Sequence, residues 1–304
     1  MKRVLVTGTT GFIGRACLAP LRARGYEIHA VHHARAVVDA PPDVRWHAAD
    51  LLAPDGAAAV VAEVAPTHLL HLAWYAVPGA YWTSRENLRW VRASLALYEA
   101  FVAAGGTRVV TGGTSAEYDW TGGVCREGET PVAPSTYYGV CKHALAEVIA
   151  ADARASALSA AHARFFFLYG PHEYPQRLIA SVITTLLRGE VARCSPGTQR
   201  RDFLHVADAA AATVALLDSA VTGPVNIGSG DAVTVASIVA QVAAQIGGGG
   251  RVELGALPAD NPPLVVADVR RLRDEVGFDP ALDRARGHEQ RLRETISWWR
   301  GSQA

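Results

Sequence analysis

Tyr138 and Lys142 stand four residues apart in Tyr138-Gly139-Val140-Cys141-Lys142, inside a stretch whose pattern predicts a helix over residues 136–155. Side chains at this spacing are neighbours on one helical face. An ammonium beside a phenol favours phenolate and lowers the tyrosine pKa, which would let Tyr138 exchange a proton with an alcohol near neutral pH. Thr114 follows a predicted strand in Thr111-Gly112-Gly113-Thr114-Ser115-Ala116-Glu117-Tyr118. Parallel sheets display their reactive groups at that end of a strand, so its hydroxyl is placed to hydrogen-bond the reacting oxygen. Among 29 basic residues only Lys2 and Lys142 are lysines. A GC-rich coding sequence explains arginine elsewhere, whereas an ammonium at 142 has a pKa that its surroundings can shift.

A second constellation opens the chain. Gly8-x-x-Gly11-Phe12-Ile13-Gly14 follows the β-branched run Lys2–Val6 and precedes an amphipathic stretch that reaches Arg24. Strand, glycine turn and helix in that order form a dinucleotide cradle: glycine lets the backbone approach a pyrophosphate at the helix N-terminus. An acid after the second strand would bind the ribose 2′-hydroxyl of NAD. Here Val31-His32-His33-Ala34-Arg35 occupies that place, and the first acid is Asp39. His33 and Arg35, with Arg15, suit a 2′-phosphate, so NADP(H) is favoured and NAD(H) remains possible.

These groups need a scaffold. Strand-like runs at residues 26–31, 44–47, 68–72, 107–111 and 163–168 alternate with helical stretches at 56–64, 81–104 and 136–155. That alternation predicts an α/β fold, a doubly wound parallel sheet of the Rossmann kind covered on both faces. The dinucleotide-binding domain is expected over residues 1–170, with 202–227 returning to it, and a smaller C-terminal substrate-binding lobe over 171–304. The Gly247–Gly250 run reads as a loop.

Composition excludes several classes. The 304 residues carry 29 basic and 29 acidic side chains, and a neutral chain lacks the field of a nucleic-acid or anionic-membrane binder. No apolar run is long enough for a membrane span. The early start of the first strand leaves no room for a signal peptide, so a cytoplasmic location is expected. Cys17, Cys125, Cys141 and Cys194 form no metal-ligand pair, and no metal site is expected.

Taken together, the glycine turn, Thr114 four residues before Tyr118, and the Tyr138/Lys142 pair resemble the extended short-chain dehydrogenases/reductases. Asp50-Leu51, His71-Leu72-Ala73, Asn87, Tyr169-Gly170-Pro171, the segment from Arg201 to Asp208 and Asn226-Ile227-Gly228 resemble their NAD-dependent epimerase/dehydratase branch, which acts on nucleotide sugars. The resemblance implies Tyr138 as acid/base, Lys142 as its support and nicotinamide-ribose ligand, and Thr114 as the residue orienting the substrate. It implies Asp50 and Leu51 against adenine, Leu72 and Ala73 beneath the nicotinamide ribose, and Arg201 on the substrate diphosphate. Ser115 and His172 would also meet the substrate, which is a nucleotide sugar. A homodimer through the helices at 81–104 and 136–155 is implied as well. Tyr137, lacking the spacing to Lys142, falls to packing or the pocket wall.

Departures from the family patterns narrow the reaction. Dehydratases of this type carry Asp-Glu directly after the threonine, since loss of water needs an acid and a base. Here Ser115-Ala116 follow, and Glu117 is one place late. Ala116 also replaces the cysteine of the bifunctional epimerase/reductases. Two oxidoreductase readings remain: a 4-ketoreductase of a nucleotide-linked 4-keto-6-deoxyhexose, which the missing acid after Val31 favours, and an NAD-dependent 4-epimerase. Phe167 stands where many epimerases have a substrate-binding asparagine, and Leu257–Asn261 replaces a customary Arg-Pro-Gly-Asp clamp. His172, Glu173 and Tyr174 follow the Gly-Pro turn, where they would contact sugar hydroxyls or sit in solvent. Trp74, Tyr75, Tyr81 and Trp82 would stack on a ligand or pack a loop. A reading from another class, a catalytically silent sensor of NADP, would have no use for the Thr114/Tyr138/Lys142 set.

Overall fold

The computed structural model describes residues 2–33, 41–156, 158–258, 262–280 and 288–302. Seven parallel strands form its main sheet: β1 (Arg3–Thr7), β2 (Glu27–His32), β3 (Val44–Ala48), β4 (His68–His71), β5 (Arg108–Thr114), β7 (Ser159–Phe165) and β12 (Gly223–Ile227). The two-residue strand β6 (Val124–Cys125) lies outside this sheet. Their order is β12-β7-β5-β4-β1-β2-β3, so the chain winds outward from β1 in both directions and reverses between β1 and β4. Such a reversal opens a crevice at the strands' C-terminal ends. The central strands carry apolar runs, as burial on both faces demands: Val4, Leu5 and Val6 of β1 are fully buried, as are Leu70 of β4 and Val109 and Val110 of β5.

Helices α1 (Phe12–Ala23) and α6 (Val206–Asp218) cover one face, and α2 (Gly56–Val64), α3 (Glu86–Ala103) and α4 (Tyr137–Ser156) the other. A separate apolar cluster joins α5 (Leu178–Leu187), α7 (Val235–Ile246) and α9 (His288–Ser302) around Ile183, Ile238, Ile296 and Trp299. Alongside it run β8 (Phe167–Tyr169), β9 (Ala192–Cys194), β10 (Arg200–Arg201), β11 (Phe203–His205), β13 (Val233–Thr234), β14 (Val252–Leu254) and β15 (Leu264–Ala267). The short helix α8 (Arg270–Asp274) leans on β12. A four-stranded sheet has the order β13-β10-β15-β6, and β8 pairs with β11. Gly247 ends α7 with φ +76°, and the glycine run leads into β14.

Three later motifs tie these parts together. Asp202, fully buried, accepts from Ser229 N, Ser229 Oγ, Gly230 N and Ala267 N at 2.6–3.1 Å. Asn226 accepts from the Tyr118 hydroxyl at 2.8 Å and donates to the carbonyls of Cys125 and Asp268. Asp208 is ion-paired with Arg291 of α9.

Of the element boundaries that differ from the sequence expectation, two have identifiable reasons. The long helix starts at Glu86 rather than at 81 because the Asn87 amide reaches back to the carbonyls of Tyr81 and Ser84 at 2.7 and 2.9 Å, holding a turn there. The strand expected over 163–168 divides into β7 and β8. Phe166 N–H turns to the Ile227 carbonyl, 3.1 Å away, and the chain leaves the large sheet.

Candidate active site

A cavity of about 700 Å³ lies over the C-terminal ends of β1, β2, β4, β5 and β7. Gly8, Gly11, Phe12, Ile13 and Gly14 line one end. Gly8 has φ +76°, and a Cβ on it would sit 2.8 Å from Ala73 N; one on Gly14 would collide with the Gly8 carbonyl. Only glycine permits this packing. This packing brings the N-terminus of α1, residues Phe12, Ile13 and Gly14, to the cavity wall, and a helix N-terminus suits a diphosphate. Leu72 and Ala73 are held against this turn by the Thr7 hydroxyl, which accepts from their N–H groups at 3.2 and 3.1 Å. His71 completes the brace, with Nδ1 on Thr7 and Nε2 on Ser94, both at 2.7 Å. Burial pushes its pKa down to about 3, so it braces as a neutral ring.

His33, Asp50 and Leu51 line the wall beyond the glycines. His33 Nδ1 lies 3.8 Å from Asp50 Oδ1, and Asp50 also accepts from Leu52 N at 2.9 Å. Arg35 lies outside the described residues, and Arg15 is exposed and away from the lining. The glycine cradle and this wall fit a dinucleotide.

At the opposite end β5 presents Thr114 and Ser115, and the first turn of α4 presents Tyr138. Thr114 caps the turn that follows it: its Oγ1 accepts from Ala116 N at 3.2 Å, while its own N–H donates to Glu117 Oε1 at 2.8 Å. Glu117 is fully buried, with Oε1 on His162 Nε2 and Oε2 on Arg164 Nε. Burial alone would raise its pKa, but His162, Arg164 and the Thr114 N–H outweigh it and hold the carboxyl at about 2. Glu117 is thus an anionic brace behind Thr114, turned away from the cavity lining, and the residues facing the cavity beside Thr114 are Ser115 and Ala116.

The Tyr138 ring is clasped edge-on by Tyr81 and Trp82, at centroid separations of 4.8 and 5.8 Å. Its N–H donates to the Trp82 carbonyl at 3.1 Å. The phenol pKa lies above its ordinary value, mainly through burial, with Tyr81 and Glu117 adding and the Thr114 side chain and Arg177 opposing. The expectation of a pKa lowered by Lys142 is therefore not met. The Lys142 ammonium donates to the Gly112 carbonyl at 2.7 Å and lies 3.9 Å from the centroid of the Trp74 ring, against 6.0 Å for Tyr138. Burial brings the Lys142 pKa down to about 7, with Glu117 opposing. Trp74 itself lines the cavity and donates to Asn87 Oδ1 at 2.9 Å.

Two expected substrate residues stand elsewhere. His172 has φ +66° and packs on Trp298 of α9, with ring centroids 4.4 Å apart, outside the cavity lining. Arg201 is buried; its guanidinium donates to the Pro262 carbonyl at 2.8 Å and lies 5.5 Å from the Phe167 ring centroid, again off the lining. The lining instead contains Glu173 and Arg177. The turn after Gly170-Pro171 sends His172 outward and Glu173 inward. An acid directly after that turn was the available signal. Arg177 immediately precedes α5, and nothing in the sequence pattern distinguishes it from other arginines. Tyr137 is exposed and off the lining. Among the described residues, no group of three His, Cys, Asp or Glu could hold a metal ion, and no helix is long and apolar enough to cross a membrane.

A crevice at the switch point of a doubly wound sheet, with a glycine cradle at one end and a threonine–tyrosine pair at the other, defines a dinucleotide-dependent oxidoreductase site. Residues 4–228 match the NAD dependent epimerase/dehydratase family, and the chain belongs to that family. It is 26% identical to UDP-glucose 4-epimerase of Corynebacterium glutamicum, across 91% of each chain. It is 28% identical, also across 91% of each, to dTDP-6-deoxy-L-talose 4-dehydrogenase (NAD(P)(+)) of Kitasatospora kifunensis. The solved structure of MoeE5 in complex with UDP-glucose and NAD superposes with a TM-score of 0.84 at 31% identity, covering 99% of this chain and 100% of that one.

Proposed function

We propose that the protein is an NAD-dependent 4-epimerase of a nucleotide-activated hexose. The observation that carries this reading is the set of groups facing the reacting end of the cavity: Thr114, Ser115 and Tyr138 line it, while Glu117 is committed to His162 and Arg164. Such a site has a phenol to take up and return one proton and, with Glu117 committed elsewhere, a single carboxyl, Glu173, where loss of water needs both an acid and a base. The full-length likeness to an epimerase and to a structure holding UDP-glucose and NAD supports the same reading.

In this mechanism the glycine turn and the N-terminus of α1 would hold the diphosphate of NAD, and Leu72 and Ala73 would meet its nicotinamide ribose. Bound there, the cofactor supplies a reversible hydride acceptor at the sugar C4. Thr114 hydrogen-bonds the C4 oxygen, and Tyr138 holds the proton that leaves this oxygen and returns to it. Turning the sugar between the two events inverts C4 with no net use of cofactor. Tyr81 and Trp82 fix the phenol ring and exclude water from it.

A second reading keeps the same residues and changes the cofactor: a 4-ketoreductase consuming NADPH. His33 at the cavity wall with no acid at the end of β2, and the likeness to the deoxytalose dehydrogenase, favour it. Incubation with UDP- and dTDP-hexoses without added cofactor separates the two. An epimerase yields the C4 epimer; a reductase yields none, but oxidises NADPH in step with a nucleotide-linked 4-keto-6-deoxysugar.

A further inference from the structure

Glu173 is the one residue of the Gly170–Tyr174 turn whose burial has no internal explanation. Its side chain is 6% exposed, and it lines the cavity together with Thr114, Tyr138, Trp82 and Arg177. Oε2 is buried and has no hydrogen-bond partner. A buried carboxyl left unpaired is costly, and proteins retain one where something else completes it. The backbone shows how it comes to be there. His172 takes a left-handed φ and packs against Trp298, and Glu173 N–H bonds back to the Gly170 carbonyl at 3.3 Å. This tight turn directs successive side chains to opposite sides.

The surroundings keep the carboxyl neutral. Burial raises its pKa to about 8, with Arg177 and the Gly170 backbone only partly opposing. A neutral carboxyl offers one donor and one acceptor, the pair that a sugar hydroxyl offers in return. It also stands at the reacting end of the cavity: Arg177, whose charge acts on Glu173, acts on Tyr138 and Tyr81 as well. We propose that Glu173 is a sugar-binding residue whose carboxyl hydrogen-bonds the hydroxyls of the bound hexose. The proposal rests on the nucleotide-sugar reading above, and it selects Glu173 from the three residues after the Gly-Pro turn for which the sequence pattern left open contact with sugar hydroxyls or solvent.

Calorimetric titration of the NAD-saturated full-length protein with UDP and UDP-glucose, and with dTDP and dTDP-glucose, tests it. For the pair that binds, the ratio of the Kd for the free nucleotide to the Kd for its glucose conjugate measures the hexose contacts. Glu173→Ala is expected to lower this ratio about tenfold, the worth of one good hydrogen-bonded contact. Glu173→Leu, which keeps the volume without polar atoms, should do the same, whereas Glu173→Gln should stay within about threefold of wild type. The Kd for NAD should remain within about twofold in all three, which also reports that they fold. A ratio unchanged in both Glu173→Ala and Glu173→Leu overturns the proposal. So does a loss that appears in NAD affinity instead, which would place the carboxyl on the nicotinamide. If wild type binds neither nucleotide nor conjugate, the nucleotide-sugar reading itself falls. That failure is distinct, because the other two leave wild-type binding intact.

Discussion

At the scale of single residues the account stands on Tyr138. Tyr138→Phe removes one oxygen and leaves the ring between Tyr81 and Trp82, so turnover should drop by about 10³-fold while NAD affinity, read by fluorescence titration, stays within about twofold. Survival of turnover in this variant would take Tyr138 out of the chemistry, whereas survival of NAD binding and of all cellular function would leave the silent-sensor reading standing. Thr114, Tyr138 and the glycines were legible in the sequence because their spacing carries the chemistry. The Tyr138 pKa was not, because it depends on which way Lys142 points. The ammonium turns to Gly112 O and the Trp74 face, a choice that spacing on a helix does not reveal. Glu173 was named with His172 and Tyr174, but the choice among them was not legible for a similar reason, since the positive φ of His172 decides which neighbour faces inward. Its raised pKa has a further consequence for stability. Between the ordinary carboxyl value of 4.5 and the folded value of about 8, the folded state holds a proton that the unfolded state releases. The stabilising contribution is present below pH 4.5 and is lost as pH rises through 8. Relative to wild type, Glu173→Gln should therefore gain on the order of a few kcal/mol between pH 5 and pH 8.5, measured by urea unfolding at both.

At the scale of elements the site depends on two junctions. One is the end of β5, where Glu117 ties the Thr114 N–H to His162 and Arg164 of β7. Glu117→Ala leaves a buried guanidinium without its partner and should cost roughly 3–5 kcal/mol of stability, read by urea unfolding. The variant's kcat should fall with the displacement of Thr114, while NAD affinity changes little. The other junction is the contact of α1 with the glycine turn. Gly14→Ala forces a Cβ into the Gly8 carbonyl and should weaken NAD binding at least tenfold while leaving much of the fold's stability in place. The sequence placed Glu117 one position from the pattern of a dehydratase. The structure adds the reason it matters: a capping-box bond to the Thr114 N–H and pairings with His162 and Arg164 together occupy both carboxylate oxygens.

At the scale of the whole molecule, the alternation of strands and helices made the parallel sheet legible, because apolar runs such as Val4–Val6 recur and several are followed by a helix. The four-stranded sheet and the β8/β11 pair were not legible. Their strands are two to four residues long, and buried side chains such as Asp202 and Asn226 hold them more than any local pattern does. The homodimer implied by the family resemblance would use α3 and α4, where Val140 and Val148 are exposed one helical turn apart twice over. Val148→Glu should then shift the mass measured by light scattering from dimer to monomer. The most direct test of the central claim follows the sugar itself. Purified wild type and Tyr138→Phe are incubated with UDP- and dTDP-hexoses without added cofactor, and the C4 configuration is read by NMR. The account predicts that wild type converts one of these sugars to its C4 epimer with no net change in its NAD, and that Tyr138→Phe does not. Epimer formation at equal rates by both proteins, or none by wild type while it oxidises NADPH with a 4-keto sugar, would contradict it.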